Sequence, residues 1–289
     1  MEQISDLTRP SVLKELLGRY GFSFSKSLGQ NFLTDAGVLQ HNTDGAALNK
    51  TVNVLEIGPG AGTLTRCLAT QAKKVVAVEI DNALIPVLQE TLSPFPNAEI
   101  VHGDIMKTDI AALTQQQFGN EPFCVVANLP YYITTPVVML LLEGGLPVTG
   151  LTLMVQKEVA ARMLAKPGGK DYGALSIAVQ YRSVPALVCM AEPHCFLPQP
   201  KVASAVIHLD IPDRPTITVE NETFFFLLVK AAFGQRRKTL QNALCNSPFL
   251  KLSKDAVQSA LSEMGLNADI RGEKLSIPQF AQLADLLQP

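Results

Sequence analysis

The chain has 289 residues, 47% of them apolar, which is enough for a sizeable core and too many for a disordered chain. Its 24 Lys and Arg nearly balance 26 Asp and Glu, a net of −2 that excludes a generic cationic coat for nucleic acid. Five cysteines (Cys67, Cys124, Cys189, Cys195, Cys245) form no C-x-x-C pair, which argues against structural zinc and a disulfide framework and for buried thiols in a reducing compartment.

In chain order, a helical N-terminal stretch leads to the polar loop Lys26-Ser-Leu-Gly-Gln-Asn-Phe-Leu33 and a further helix-like segment. A β-branched run at 52–57 then stops at Gly58-Pro-Gly-Ala-Gly62. Helix signals at 63–71 and 82–92 alternate with strand signals at 75–80, 99–101 and 123–127. The alternation predicts βαβ units in a mostly parallel sheet, with sites at the carboxyl ends of the strands. Further strands are expected at 151–155, near 178–181 and at 202–209, with a helix running to Met163. Pro212-Asp-Arg-Pro215 reads as a hinge, followed by helices at 223–233, 237–245, 253–264 and 277–287. The expected organisation is therefore an α/β domain over 1–212 and a small all-helical domain over 213–289.

No targeting signal is evident. The first twenty residues carry Glu2, Asp6 and Glu15 with no continuous apolar stretch, and apolar runs such as 136–142 are far too short to span a bilayer. A cytoplasmic monomer that binds no membrane is expected. Charge is uneven: residues 51–150 hold 4 basic and 9 acidic side chains, whereas 151–255 hold 13 basic and 8 acidic. One half suits a cationic or neutral ligand, the other a polyanion.

Three constellations carry chemistry. In the first, Glu56-Ile-Gly-Pro-Gly-Ala-Gly62 joins a strand to a helix, and Glu79 ends the next strand 21 residues after Gly58. Such a turn admits a ligand close to the backbone, and the later carboxylate can hold both ribose hydroxyls of a nucleoside. Thr63 stands where a dinucleotide fingerprint needs its third glycine, which favours a nucleoside without phosphates; a plain tight turn is the alternative. Second, Asp104 follows the third strand, either to accept a hydrogen bond from an adenine amino group or to cap the next helix. Third, Asn128-Leu-Pro-Tyr131 follows an apolar strand. An Asn side-chain oxygen and a backbone carbonyl can accept both hydrogens of an exocyclic amine, and Tyr131 offers a stacking face.

Together with Gly29-Gln-Asn-Phe-Leu33, these motifs resemble the ribosomal RNA adenine dimethyltransferase family (KsgA type). The likeness continues through Gln156-Lys-Glu-Val-Ala160, Tyr172-Gly-Ala-Leu-Ser176, Phe196-Leu-Pro-Gln-Pro-Lys-Val202 and Phe233-Gly-Gln-Arg-Arg-Lys-Thr-Leu240, in the family's order. One departure is Leu28, where the family usually has an aromatic.

The resemblance implies a class I, Rossmann-like fold dependent on S-adenosylmethionine, with one antiparallel strand near the end of the sheet. It also implies that Gly58 and Gly60 line the amino-acid part of the cofactor, Glu79 holds the ribose, and Asp104 and Ile105 hold the adenine. Asn31 and Leu33 would close over the cofactor, with Asn128 between it and the target base. Asn128, Leu129, Pro130 and Tyr131 would form the catalytic turn, and Phe196 either stacks on the base or belongs to the core. Arg236, Arg237 and Lys238, opening a helix, would contact RNA together with Lys157 and Lys201. No metal is expected, since His41, His102, His194 and His208 are scattered. The implied substrate is two adjacent adenines near the 3′ end of small-subunit ribosomal RNA, presented by an immature small subunit. A large-subunit methyltransferase of the macrolide-resistance type and an assembly factor acting mainly by binding are the alternatives.

Overall fold

The computed structural model describes residues 6–25, 28–213, 215 and 217–288. Helix α1 (Pro10–Arg19) begins with proline, whose missing N–H is no loss in a first turn. After the two-residue strand β1 (Phe32–Leu33), the Asp35 carboxylate accepts from the Val38 amide at 2.9 Å and starts α2 (Ala36–Gly45). The alternating region follows: β2 (Asn53–Ile57), α3 (Thr63–Gln71), β3 (Lys74–Glu79), α4 (Ile85–Leu92), β4 (Ala98–His102), α5 (Ile110–Phe118), β5 (Phe123–Asn128), α6 (Thr134–Glu143) and β6 (Val148–Gln156). Next come α7 (Lys157–Met163), α8 (Ala174–Arg182), β7 (Val184–Ala191), β8 (Phe196–Leu197) and β9 (Ser204–Asp210). Helices α9 (Glu222–Gly234), α10 (Leu240–Cys245), α11 (Lys254–Glu263) and α12 (Ile277–Leu287) complete the chain.

The main sheet has seven strands in the order β4-β3-β2-β5-β6-β9-β7. Pairings β2–β3, β3–β4, β2–β5 and β5–β6 are parallel, and β9 runs antiparallel to β6. The implied class I architecture, antiparallel strand included, is thus present. All of β2 is buried, as is β5 up to Ala127, because helices cover both faces of a parallel sheet; their apolar runs follow from that. Strand order reverses between β2 and β5, so a crevice opens at the carboxyl ends of those two strands. A separate two-stranded sheet pairs β1 with β8.

The chain forms two compact units, one of residues 1–160 with 185–211, the other of 161–184 with 212–289. The expected organisation cuts the chain once, after residue 212, whereas packing divides it three times. The reason is aromatic: within the second unit Tyr181 packs on Phe225 at 5.1 Å between centroids, and Tyr172 on Phe233 at 5.9 Å. Tyr172, Ile177 and Tyr181 are therefore buried in one cluster with side chains of the C-terminal helices.

Local readings also need correction. Residues 178–181 belong to α8, not to a strand: their short alternation is part of a longer helical stretch that buries Leu175, Ile177, Val179 and Tyr181, started where the Gly173 amide donates to the Ser176 hydroxyl. The nearby strand is β7, an edge strand exposed on much of its length, so its pattern carries no clean buried face. Helices α5 and α6 were not anticipated. The rule that parallel strands need a crossover requires both, yet the β-branched start of α6, Thr-Thr-Pro-Val-Val, argues locally against helix. Finally, α10 starts at Leu240 behind its cap Thr239, so Arg236, Arg237 and Lys238 lie in the turn before it and do not open it.

Candidate functional site

The glycine turn after β2 has left-handed backbone at Gly58 (φ +71°), Gly60 (φ +63°) and Gly62 (φ +86°). The Gly60 amide donates to Glu79 Oε2 at 3.1 Å, and the Asp81 amide to Glu79 Oε1 at 2.8 Å. Glu79, ending β3, is thereby oriented through both carboxylate oxygens, while burial raises its pKa. Next in the sheet, β4 ends at His102, paired in register with Glu79. Asp104, just beyond, accepts from the Met106 amide at 3.0 Å and meets Lys107 at 3.6 Å. The capping alternative for Asp104 fails, because Asp109 caps α5. Ile105 is buried beside it.

Asn128 ends β5 on the other side of β2. Its Nδ2 donates to the Asn31 carbonyl at 3.2 Å. That bond uses the amide's donor end and leaves Oδ1 free to accept from a ligand. Leu129 is buried and its amide donates to the Met154 carbonyl at 3.3 Å. Pro130 follows, and the Tyr131 hydroxyl is held 3.0 Å from Ser204 Oγ, which fixes the ring. Strand pairing of Leu33 with Phe196 joins the Gly-Gln-Asn-Phe-Leu loop to the Phe-Leu-Pro segment. Phe196 is only 4% exposed, so core packing and facing the crevice coexist in that one ring.

One cleft is lined by Asn31, Leu33, Gly58, Gly60, Glu79, Asp104, Ile105, Asn128, Leu129, Pro130, Tyr131 and Phe196. Every residue expected to act on cofactor or base is therefore brought together from segments up to 165 residues apart. Leu28 lines the same cleft, whereas Lys26 and Ser27 of the expected loop lie outside the described residues. Among the described lining residues are three carboxylates, Glu56, Glu79 and Asp104, and no Lys, Arg or His. Burial leaves Glu56 protonated at neutral pH, so Glu79 and Asp104 carry the acidic character, and a lining with no described cation favours a cationic ligand over a phosphate. No cluster of three or more potential metal-ligating side chains occurs among the described residues.

Sequence reasoning assigned Glu56 no role. It is 1% exposed, lines the cleft, and neither carboxylate oxygen makes a hydrogen bond, though the nearby Thr65 hydroxyl favours the charged form. Burial, with a smaller contribution from the Glu79 charge, pushes its pKa up to about 8. The signal was a carboxylate inside the apolar run Val-Leu-Glu-Ile. Because its pKa is raised on folding, the ligand-free protein has this group's full stability below about pH 4.5 and loses it as pH climbs toward 8. The loss is on the order of 3–5 kcal/mol. Glu56→Gln should flatten the dependence of Tm on pH between 5 and 8; parallel curves for the two proteins would refute a buried, proton-linked Glu56.

The basic residues are distributed differently. Lys157 and Lys201 are exposed on the first unit. In the second, Arg236 donates to the Lys170 carbonyl at 2.8 Å and the Tyr172 carbonyl at 3.2 Å, and pairs with Glu273 at 3.5 Å, whereas Arg237 and Lys238 are exposed.

The sequence model described as "Ribosomal RNA adenine dimethylase" matches residues 21–289. A protein of Lachnoclostridium phytofermentans named "Ribosomal RNA small subunit methyltransferase A" is 50% identical over 279 residues, 96% of each chain. One of the same name from Anoxybacillus flavithermus is 50% identical over 286 residues, 98% of this chain and 97% of that one. Among solved structures, a dimethyladenosine transferase from Plasmodium falciparum aligns with TM-score 0.74 at 28% identity, covering 87% of this chain and 95% of its own. The 23S rRNA methyltransferase ErmE aligns with TM-score 0.70, also at 28% identity, covering 90% and 100%. With near-full-length matches at half identity and a cleft assembled from the family's motifs, the chain belongs to the ribosomal RNA adenine dimethylase family.

Proposed function

We propose that this protein transfers methyl groups from S-adenosylmethionine to the exocyclic N6 of two adjacent adenines near the 3′ end of small-subunit ribosomal RNA. The observation that carries the reading is the acidic cleft, with no cationic side chain among its described lining residues, into which Asn128 presents a free acceptor oxygen. A sulfonium and an ammonium suit that lining better than a dinucleotide's pyrophosphate does. Gly58 and Gly60 let the ligand approach the backbone, Glu79 holds the ribose, Asp104 and Ile105 bracket the adenine, and Asn31 and Leu33 cover it. When bound, S-adenosylmethionine supplies a methyl group already activated for displacement.

The protein's task is alignment. An adenine amine is a poor nucleophile because its lone pair is shared with the ring. In the first transfer Asn128 Oδ1 and the Leu129 carbonyl accept its two hydrogens, and in the second the one that remains; this favours a pyramidal nitrogen with its lone pair aimed at the methyl and offsets the positive charge that develops there, until the N–H proton displaced in each transfer leaves to solvent. Holding the reacting atoms in line contributes about 7–11 kcal/mol. The base must leave its stack to enter; Tyr131, anchored through Ser204, and Phe196 supply ring faces for it.

The relatives at 50% identity carry a small-subunit name, which favours that substrate over large-subunit RNA, the ErmE likeness being only 28%. An immature subunit, a monomeric enzyme and a cytoplasmic setting complete the proposal. Incubation with S-adenosylmethionine and undermethylated small subunits should yield dimethyladenosine on mass spectrometry of the nucleosides. Product on large-subunit RNA instead would overturn the substrate, and absence of product on both would leave only an assembly role.

Arg237 and Lys238 are proposed to hold RNA phosphates, with Lys157 and Lys201 on the other unit. The double neutralisation of Arg237 and Lys238 should reduce the slope of log affinity against log salt by about 1.5–2. Arg236→Ala is expected to act on stability as well, since its guanidinium ties down the 170–172 carbonyls. An unchanged slope in the double variant would remove both residues from the interface.

A further inference from the structure

From Thr223 to Lys254 the chain carries six cationic side chains (Lys230, Arg236, Arg237, Lys238, Lys251, Lys254) and not one acidic residue. All six are exposed. The unit that contains them has 13 basic and 9 acidic residues, a net of +4, while the other unit has 11 and 17, a net of −6. So long a run of one sign is built for a polyanion.

The same segment displays an aromatic ring. The second unit has eight Phe and Tyr residues; seven are buried or half-buried and help to form its core, and Phe249 alone is exposed, at 50%. Local geometry holds it there. Its amide donates to Ser247 Oγ at 3.2 Å just after α10, and the adjacent Leu250 is buried, so the turn sends one apolar side chain inward and the next outward. The Lys230 ammonium lies 4.1 Å from the Phe249 ring centroid. Lys230 is one helical turn before the end of α9, beyond which the basic turn begins.

An exposed ring beside an ammonium, amid cations, is the combination that holds a single-stranded nucleotide: the ring takes the base face and the cation the phosphate. A duplex hides its base faces, and a protein partner has no need of so uniform a charge. We propose that an unpaired base of the RNA substrate stacks on Phe249, with its phosphate held by Lys230 and Lys251. This site is distinct from the cleft, and it rests on the reading of ribosomal RNA as substrate.

The absence of tryptophan from the chain makes the test direct. In Phe249→Trp the introduced indole is the sole one, and its fluorescence should be quenched by single-stranded decaadenylate and by protein-free small-subunit RNA, but not by a duplex of ten base pairs. Phe249→Leu keeps apolar area and loses the stack. It should bind small subunits about 5- to 100-fold more weakly, with salt slope, Tm and S-adenosylmethionine affinity unchanged. Lys230→Ala should instead reduce the salt slope by about one. Wild-type affinity in Phe249→Leu, equal quenching by duplex, or quenching by assembled subunits but by neither protein-free RNA would overturn the proposal, the last by making Phe249 a dock for a protein. Dimethyladenosine formation by the wild-type chain is read separately, so failure of the catalytic proposal would be told apart from failure of this one.

Discussion

Asn128→Ala is expected to slow methyl transfer by about 10²–10³-fold, the scale seen when one preorganised hydrogen-bonding group is removed from developing charge. Two contacts are lost together. The acceptor Oδ1 no longer orients the amine, and the Asn31 carbonyl loses its donor at 3.2 Å. The second loss falls on the loop proposed to cover the cofactor, so S-adenosylmethionine affinity should drop by less than about tenfold, in line with one neutral hydrogen bond. Asn128→Asp makes a sharper probe: it keeps an acceptor but sets a carboxylate against the Asn31 carbonyl, and should fail as badly as alanine. Single-turnover transfer of labelled methyl, with calorimetric titration of the cofactor, separates the two effects. Near-normal single-turnover rates in Asn128→Ala would show that the amine is gripped elsewhere.

Gly60→Ala is the second large effect. A Cβ there would lie 2.7 Å from both Cδ1 and Cε1 of Phe32, and the backbone at φ +63° disfavours any L side chain. The left-handed backbone alone costs about 1–2 kcal/mol. Phe32 cannot swing freely, being buried and paired with Leu197 across the two-stranded sheet. Relief must therefore shift the loop between Asn31 and Leu33, or break the bond from the Gly60 amide to Glu79. We expect Tm to fall by about 5–10 °C and cofactor affinity by at least about tenfold. Gly265→Ala is the control, since its backbone also has a positive φ (+65°) with nothing within 4 Å of the added carbon. If the two variants lose the same stability and Gly60→Ala binds cofactor normally, the Phe32 contact has no functional weight.

Much of the site was legible because its motifs are contiguous. Gly58-Pro-Gly-Ala-Gly62, Asn128-Leu-Pro-Tyr131 and Gly29-Gln-Asn-Phe-Leu33 each need particular side chains within a few residues, so short windows reveal them. Glu56 escaped because its character arises from burial: in Val-Leu-Glu-Ile nothing local says that neither oxygen finds a partner. The basic run Arg236-Arg237-Lys238 looked uniform, yet Arg236 is committed to carbonyls of a loop more than sixty residues earlier. Residues 178–181 misled because a four-residue alternation fits a strand and a helix alike until the packing partner is known.

The sequence by itself determined the alternation of strands and helices from β2 to β4, the strand β5, the glycine turn and its paired carboxylate, and the family. These are properties of local pattern, set by side-chain periodicity and by backbone that only glycine adopts easily. Tertiary structure alone decided that residues 161–184 join the C-terminal helices, that the donor end of Asn128 is occupied by Asn31, and that Glu56 is buried without a partner. Each depends on which distant segment supplies the surface or the hydrogen-bond partner, and that choice is made by burial over the whole chain, beyond the reach of any short window.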